Sequence, residues 1–161
     1  MLNMTRTIVL AAVLAAVAAT PAGAATKKTY KYTSTVLSGP VSTANGYPGL
    51  GGTATLAGSL KSKPFGDGAV VDHVTITGQP QPNVNAFKGT EVDYYSDGSL
   101  RNTLTGTATI SADGTQNIVV NGRITGGTAR YKGATGSYRF TGTTQPGSTV
   151  LSGGSTGTIV I

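Results

Sequence analysis

Residues 126–142, GGTARYKGATGSYRFTG, are the stretch that best indicates how this chain folds. Glycines at positions 126–127, 133 and 136 mark three bends around a short strand-forming run. Alternation along that run places Tyr138 and Phe140 on one face of a strand. Short strands between marked bends favour a β-barrel or a β-sandwich.

The chain beyond residue 24 has β character throughout. Runs rich in Thr, Val, Ile and Tyr recur between glycine clusters, and no apolar series with helical spacing is longer than a turn. Asp97-Gly98 and Asp113-Gly114 predict hairpin turns because both dipeptides accept positive φ, whereas Asn121-Gly122 fits either a third turn or a bulge. We predict eight strands: Thr29–Leu37, Gly52–Leu60, Ala69–Gly78, Glu91–Tyr95, Leu100–Ser111, Thr115–Thr125, Gly136–Thr143 and Thr156–Ile161.

Prolines and glycines predict where the strands are interrupted. Proline lacks the N–H that a central strand needs, so residues 38–51 and 79–88 are expected to form long loops. Gln145-Pro146-Gly147 separates the last two predicted strands. The chain after residue 24 has the size of one domain. These features together predict an all-β domain of about eight strands, arranged as a barrel or a sandwich.

A family resemblance lies in residues 122–143 and in Thr156-Gly157-Thr158-Ile159. These stretches resemble the allene oxide cyclase and dirigent group of calycin-like β-barrels, including their small secreted bacterial members. That group usually reads Gly-Thr-Gly before a basic and aromatic pair, whereas this chain has Thr128-Ala129 before Arg130-Tyr131. The resemblance implies a single antiparallel β-barrel of about eight strands with a central cavity, often dimeric or trimeric. In the named enzymes the cavity folds a reactive intermediate into one stereochemical outcome.

The N-terminus predicts export. Arg6 supplies a positive charge, residues 8–19 are apolar, and Pro21-Ala22-Gly23-Ala24 has the small residues that a signal peptidase reads. The apolar run is shorter than the roughly 20 residues of a membrane-spanning helix. We therefore predict a signal peptide over residues 1–24, with cleavage after Ala24 or, alternatively, Ala25. The barrel domain would span residues 25–161 and be secreted, either extracellular or periplasmic.

Composition excludes several kinds of chemistry. The chain has no cysteine and one histidine, so the usual zinc, copper and iron–sulfur ligand sets cannot be assembled. The formal net charge is +6, but outside Lys27, Lys28 and Lys31 the basic residues are dispersed, which disfavours a nucleic-acid surface. Phosphate-binding glycine motifs and a serine nucleophile elbow are missing. We expect no metal, no cofactor and no nucleic-acid partner.

Asp72 is the first candidate for chemistry. Strand alternation places it among Val70, Val74 and Ile76, and puts His73 on the opposite face. A carboxyl group among apolar neighbours has a raised pKa and can act as a general acid or base. The alternative, which we favour from sequence alone, is that Asp72 pairs with an arginine or caps a loop amide.

Acidic and aromatic residues supply the remaining candidates. Glu91 and Asp93 share one strand face, opposite Tyr94, and such a pair resembles an acid/base couple. Because the two carboxylates of a glycosidase normally come from different strands, we interpret them instead as solvated residues on the outside of the sheet. Aromatic side chains with polar tips suit a pocket for an amphipathic ligand, although they are also ordinary core residues. The candidate ligand-binding residues are Tyr30, Tyr32, Tyr138 and Phe140.

Two functions follow from these expectations. The favoured one is a non-enzymatic secreted barrel that binds a small apolar or amphipathic molecule in a lumen lined mainly by Val, Ile, Leu, Ala and Tyr, with Asp72 outside or tied up. The alternative is a cofactor-free cyclase or isomerase, or a dirigent-like guide of radical coupling. It requires a lumen over about 300 Å³, with candidate groups converging there: Asp72, Tyr94, Arg123 or Tyr138. A third possibility, an oligomerising structural unit, requires a packed lumen and an apolar outer patch.

Overall fold

A computed structural model describes residues 27–161, and the predicted signal peptide lies outside these residues. The chain forms one antiparallel barrel in which each strand pairs with its neighbours in sequence and β8 pairs with β1 to close the sheet. A single 3-10 turn, Ala129–Tyr131, precedes β7. The eight strands are β1 Thr29–Ala44, β2 Thr53–Lys63, β3 Gly66–Gln81, β4 Val84–Tyr95, β5 Gly98–Ile110, β6 Gln116–Gly127, β7 Thr135–Thr144 and β8 Leu151–Val160.

The structure confirms the all-β class and the eight-stranded antiparallel barrel. The predicted long loops are wrong in extent, because β1 continues to Ala44 and β4 begins at Val84. The register of the β1–β2 pair shifts between Pro40 and Ser42, and that of the β3–β4 pair shifts between Gly78 and Gln81, the segment that contains Pro80. Irregularities of this kind accommodate a residue without an N–H, so these prolines bend the strands without ending them.

The two predicted hairpin turns are confirmed. Gly98 and Gly114 have φ angles of 142° and 86°, which glycine adopts without steric cost. Asp113 stabilises the second turn by accepting hydrogen bonds from the backbone N–H and the hydroxyl of Thr115. Asn121-Gly122 is neither a turn nor a bulge, since it pairs in register with β7 in the middle of β6.

Gly122 lacks a side chain because an aromatic ring occupies the space beside it. It pairs with Tyr138 on β7, and a Cβ added at residue 122 would overlap the Tyr138 ring. A Cβ added at Gly106 would likewise overlap the Phe87 ring. Inward-facing glycines therefore let large rings lie flat across a narrow barrel, a device that also permits strong strand curvature.

One end of the barrel is closed by packed aromatic rings. Phe65, in the β2–β3 turn, has its ring centroid 5.3 Å from that of Tyr131 and 5.8 Å from that of Tyr95. Tyr131 is fully buried, and its hydroxyl donates a 2.8 Å hydrogen bond to Asp97, which also forms a 2.8 Å ion pair with Arg130. The 3-10 turn and the β4–β5 turn are thereby joined over this end.

Ala129 holds a left-handed conformation, with a φ of 47°. An alanine in this conformation costs about 1 kcal/mol relative to glycine. Within residues 27–161 no helix has the length and apolar character needed to cross a bilayer.

We predict that Gly122→Ala destabilises the barrel by about 1–3 kcal/mol, because the added methyl group would displace the Tyr138 ring. Gly78→Ala is the matched control, since its added Cβ would meet nothing closer than the Ala86 Cβ at 4.0 Å. Thermal unfolding of both variants tests this prediction. Equal stability of the two variants would contradict it.

Candidate functional site

The barrel encloses a cavity of about 100 Å³ between its closed end and its opposite, loop-bearing end. Tyr47 and Pro48 of the β1–β2 loop contribute to its wall, so the cavity extends to the loop-bearing end. This volume is well below the 300 Å³ that the cyclase hypothesis required. The apolar part of the wall consists mainly of Val36, Leu56, Leu60, Val74, Ile76, Phe87, Leu104, Ala108, Ile118, Val120, Phe140 and Leu151.

Three acidic side chains face into this cavity: Asp72, Glu91 and Asp93. Asp72 on β3 lies directly opposite Glu91 on β4, and Asp93 follows Glu91 on the same inward face. The prediction that Glu91 and Asp93 lie on the outside of the sheet is therefore wrong. Placing like charges opposite each other is unfavourable unless protons or hydrogen bonds offset the repulsion.

Glu91 and Asp93 are held by hydrogen bonds from other strands. Tyr138, on β7, donates from its hydroxyl to Glu91 Oε1 over 2.6 Å, which links two strands that are not neighbours. Asn102, on β5, donates from Nδ2 to Glu91 Oε1 at 2.6 Å and to Asp93 Oδ2 at 3.2 Å. We refer to Asp72, Glu91, Asp93, Asn102 and Tyr138 as the carboxyl cluster.

Burial is the main cause that raises the pKa of all three acids. The pKa of Asp72 rises to about 9, because the negative charges of Glu91 and Asp93 add to the effect of burial. Hydrogen bonds from Tyr138 and Asn102 oppose the rise in the pKa of Glu91. The pKa of Asp93 lies well above its ordinary value through burial and the charge of Glu91. Asp72 is therefore a neutral carboxylic acid at neutral pH.

Several buried polar atoms at this site have no hydrogen-bond partner within residues 27–161. They include Asp72 Oδ1, Asn102 Oδ1 and the hydroxyl oxygens of Ser34 and Ser38. Both serines line the cavity and are more than nine-tenths buried. Unpartnered buried polar atoms are uncommon in folded proteins and usually indicate a site for water or a ligand.

The structure divides the candidate side chains for chemistry into two groups. Asp72 lines the cavity opposite Glu91, and Tyr138 bonds to Glu91 from β7 without itself lining the cavity. Tyr94 and Arg123 lie on the outer surface, so their expected convergence in the lumen is wrong. Side chains alternate between the two faces of β4, so Tyr94 faces outward because Glu91 and Asp93 face inward.

The four predicted ligand-binding aromatics also differ in position. Tyr32 and Phe140 line the cavity, and Tyr138 lies in the carboxyl cluster. Tyr30 instead packs edge-on against Phe65 at the closed end, with ring centroids 5.9 Å apart.

Asp72 was expected to be tied to an arginine or a loop amide, and this is wrong. Every Lys and Arg among residues 27–161 is exposed, whereas Asp72 lines the cavity. His73 is exposed and its Nδ1 lies 2.9 Å from the hydroxyl of Thr55, as expected for the outer face of β3. The lumen is lined mainly by apolar residues as predicted, but Asp72 belongs to it.

Sequence analysis missed Glu91, Asp93 and Asn102. The sequence held one indication that Glu91 and Asp93 face inward. Tyr95 shares a strand face with both acids, and a large aromatic residue favours the buried face of a strand. Asn102 carries no comparable signal, since it is recognised only through its pairing with Glu91.

The carboxyl groups are not arranged as a metal site: within the described part of the chain no group of three or more His, Asp and Glu side chains is placed to hold a metal ion. No protein-family model matches the chain, and no curated protein matches its sequence.

We predict that the barrel loses stability as the pH rises from about 4 to about 9. A raised pKa means that the folded protein binds more protons than the unfolded chain in this range, so the free energy of unfolding falls with increasing pH. Asp72→Asn removes one such group and should reduce the slope by at most about 1.4 kcal/mol per pH unit.

Chemical denaturation at several pH values measures this slope. Asp67→Asn is the control, because Asp67 is an exposed residue of the same strand and does not line the cavity. A slope unchanged by Asp72→Asn would contradict the assignment of a raised pKa to Asp72.

Proposed function

We propose that the protein binds one small amphipathic molecule inside the barrel. The observation that carries the proposal is a cavity with apolar walls and a cluster of buried polar atoms, several of them without partners. The apolar part of the ligand packs against side chains such as Leu104, Val120 and Phe140. Its polar part meets the carboxyl cluster. Such a combination of apolar wall and few convergent polar groups is typical of ligand sites.

The cavity volume limits the size of the ligand. A cavity of roughly 150 Å³ engineered into another protein holds one benzene molecule. A cavity of about 100 Å³ therefore suits one ring or a chain of a few carbons, with any larger portion extending towards the β1–β2 loop. Extended lipids and polycyclic compounds are too large to be enclosed.

The loop-bearing end supports access by an apolar molecule. Val41, Leu50 and Val150 lie at this end and are exposed by 66%, 68% and 45% of their surfaces. Exposed apolar side chains at this end favour contact with an apolar molecule. They would form the entrance through which the apolar part of the ligand passes.

We predict that Ala108→Phe abolishes binding of benzyl alcohol, because Ala108 lines the cavity and a phenyl ring there would fill much of its volume. Ala57→Phe is the matched control, since Ala57 faces away from the cavity on β2. Binding is measured by NMR titration of isotope-labelled protein. The proposal fails if wild-type protein shows no saturable shifts at residues that line the cavity.

A second candidate is a cofactor-free isomerase that acts on a substrate of about one ring, since the cavity of about 100 Å³ is too small for the cyclase or the dirigent-like guide. It is favoured by Asp72, a neutral acid at neutral pH that borders the cavity with an oxygen lacking a partner. Such an acid can donate a proton to a bound substrate. Ligands recovered unchanged after long incubation support simple binding, whereas conversion that Asp72→Asn abolishes supports catalysis.

Export is part of the proposed function, through the signal peptide predicted over residues 1–24. Association into dimers or trimers is proposed only from the family resemblance. We expect intact-mass measurement of the protein isolated from its own cells to give a chain that begins at Ala25, or at Thr26 if cleavage follows Ala25. A chain that retains Met1 in the exported fraction would contradict the prediction.

A further inference from the structure

We infer that the polar group of the ligand is a cation, most simply an ammonium group carried on a small apolar body. This inference rests on the proposed function and names the class of ligand that the same cavity takes. It is carried by the distribution of charge and of hydrogen-bonding atoms around the carboxyl cluster.

Charge is divided sharply between the inside and the outside of the barrel. Three of the six acidic residues of the chain line the cavity: Asp72, Glu91 and Asp93. Among residues 27–161 every Lys and Arg, and His73, is exposed, so no basic side chain is available to pair with these acids. Buried acids are normally paired with a positive group or neutralised by protons. A bound cation would supply the missing partner.

Hydrogen-bonding capacity points to the same class of ligand. The hydroxyl of Tyr138 and the amide nitrogen of Asn102 already donate to Glu91 and Asp93. Asp72 lines the cavity and its Oδ1 has no partner within the described residues. An ammonium group has three donors and no acceptor, so it can donate to carboxylate oxygens once a proton has left the cluster. A carboxylate or phosphate would instead bring a negative charge next to Glu91 and Asp93.

The remaining surroundings suit an organic cation. Ser34 is 7% exposed, lines the cavity and has a hydroxyl without a partner within the described residues. Tyr32 and Phe140 also line the cavity, and aromatic faces attract ammonium groups. An inorganic metal ion is disfavoured, because the acids are not arranged to share one and most of the wall is apolar.

Binding of an ammonium ion should release a proton from the carboxyl cluster. The titratable groups that face the cluster are the three acids on β3 and β4, Tyr95 on β4, Tyr32 on β1 and Tyr138 on β7. Burial raises the pKa of all three tyrosines, so they stay protonated and the acids are the groups that can release a proton. An acid that is neutral in the empty barrel becomes a carboxylate beside the cation.

The test compares three ligands that share a benzyl or phenyl body: benzylamine, benzyl alcohol and benzoate. Isothermal titration calorimetry at pH 7.5 is run in phosphate and in Tris buffer. We expect benzylamine to bind about tenfold more tightly than benzyl alcohol, as charge-assisted hydrogen bonds predict, and benzoate to bind more weakly than either. The benzylamine enthalpy should depend on the buffer through release of about one proton, and its affinity should rise up to about tenfold per pH unit between pH 6 and 8.

Asp72→Asn is the decisive variant, and Asp67→Asn on the outer surface is its control. Asp72→Asn should lower benzylamine affinity about tenfold and benzyl alcohol affinity by a smaller factor, because the amide keeps hydrogen-bonding atoms but cannot carry a negative charge. Asp67→Asn should change neither. If Asp72→Asn does not fold, the ligand series and the buffer dependence of the wild-type protein decide the question without it.

The outcomes separate this inference from the proposed function. Benzyl alcohol that binds as tightly as benzylamine, with no release of protons, overturns the cationic ligand and retains an amphipathic one. Tighter binding of benzoate than of benzylamine also overturns the inference. Failure of all three compounds to bind at the cavity overturns the proposed function itself.

Discussion

Closure of the sheet by β1 and β8 is the constraint on which the rest of the structure depends. The two strands pair in continuous register from Thr29 opposite Val160 to Ser38 opposite Leu151. This pairing leaves no sheet edge exposed and sets the barrel at eight strands. At that size the interior holds little more than the side chains that fill it, so any space that remains reflects particular residue choices.

Those choices combine inward glycines with large aromatic rings. Gly122 makes room for Tyr138, and Gly106 makes room for Phe87, so rings extend over neighbouring strands instead of along their own. At the closed end the buried rings of Phe65, Tyr95 and Tyr131 pack together and fill the interior of the barrel. Above them the small side chains of Ser34 and Ala108 help to leave the cavity open. The barrel is thus packed at one end and hollow towards the other.

Burial of the carboxyl cluster lowers the stability of the barrel. Burying Asp72, Glu91 and Asp93 without a basic partner raises their pKa values, and hydrogen bonds from Tyr138 and Asn102 offset only part of the penalty. Apolar side chains at these positions would make a more stable core. Breaks in the usual rules of core packing are expected where a protein has a functional site, and the proposed ligand site is at this position.

Much of this architecture was accessible from the residue pattern, because turn chemistry and strand alternation are local properties. Asp97-Gly98 and Asp113-Gly114 marked their turns, and alternation placed Asp72 on the apolar face of β3. The same reasoning failed for Glu91 and Asp93, since acidic residues are normally solvated and only Tyr95, on the same strand face, marked that face as the inner one. It also failed at residues 38–51 and 79–88, where proline was read as ending a strand that in fact continues through an irregular register.

By itself the sequence determined the class of fold, the approximate strands and turns, and the chemistry that this chain cannot perform for want of cysteine and a second histidine. Only the tertiary structure decided which polar residues meet. The bond from Tyr138 to Glu91 joins residues 47 positions apart on non-adjacent strands, and Asn102 reaches Glu91 through strand register alone. Such contacts depend on the closure and stagger of the whole barrel, and those are properties of the sheet rather than of any segment within it.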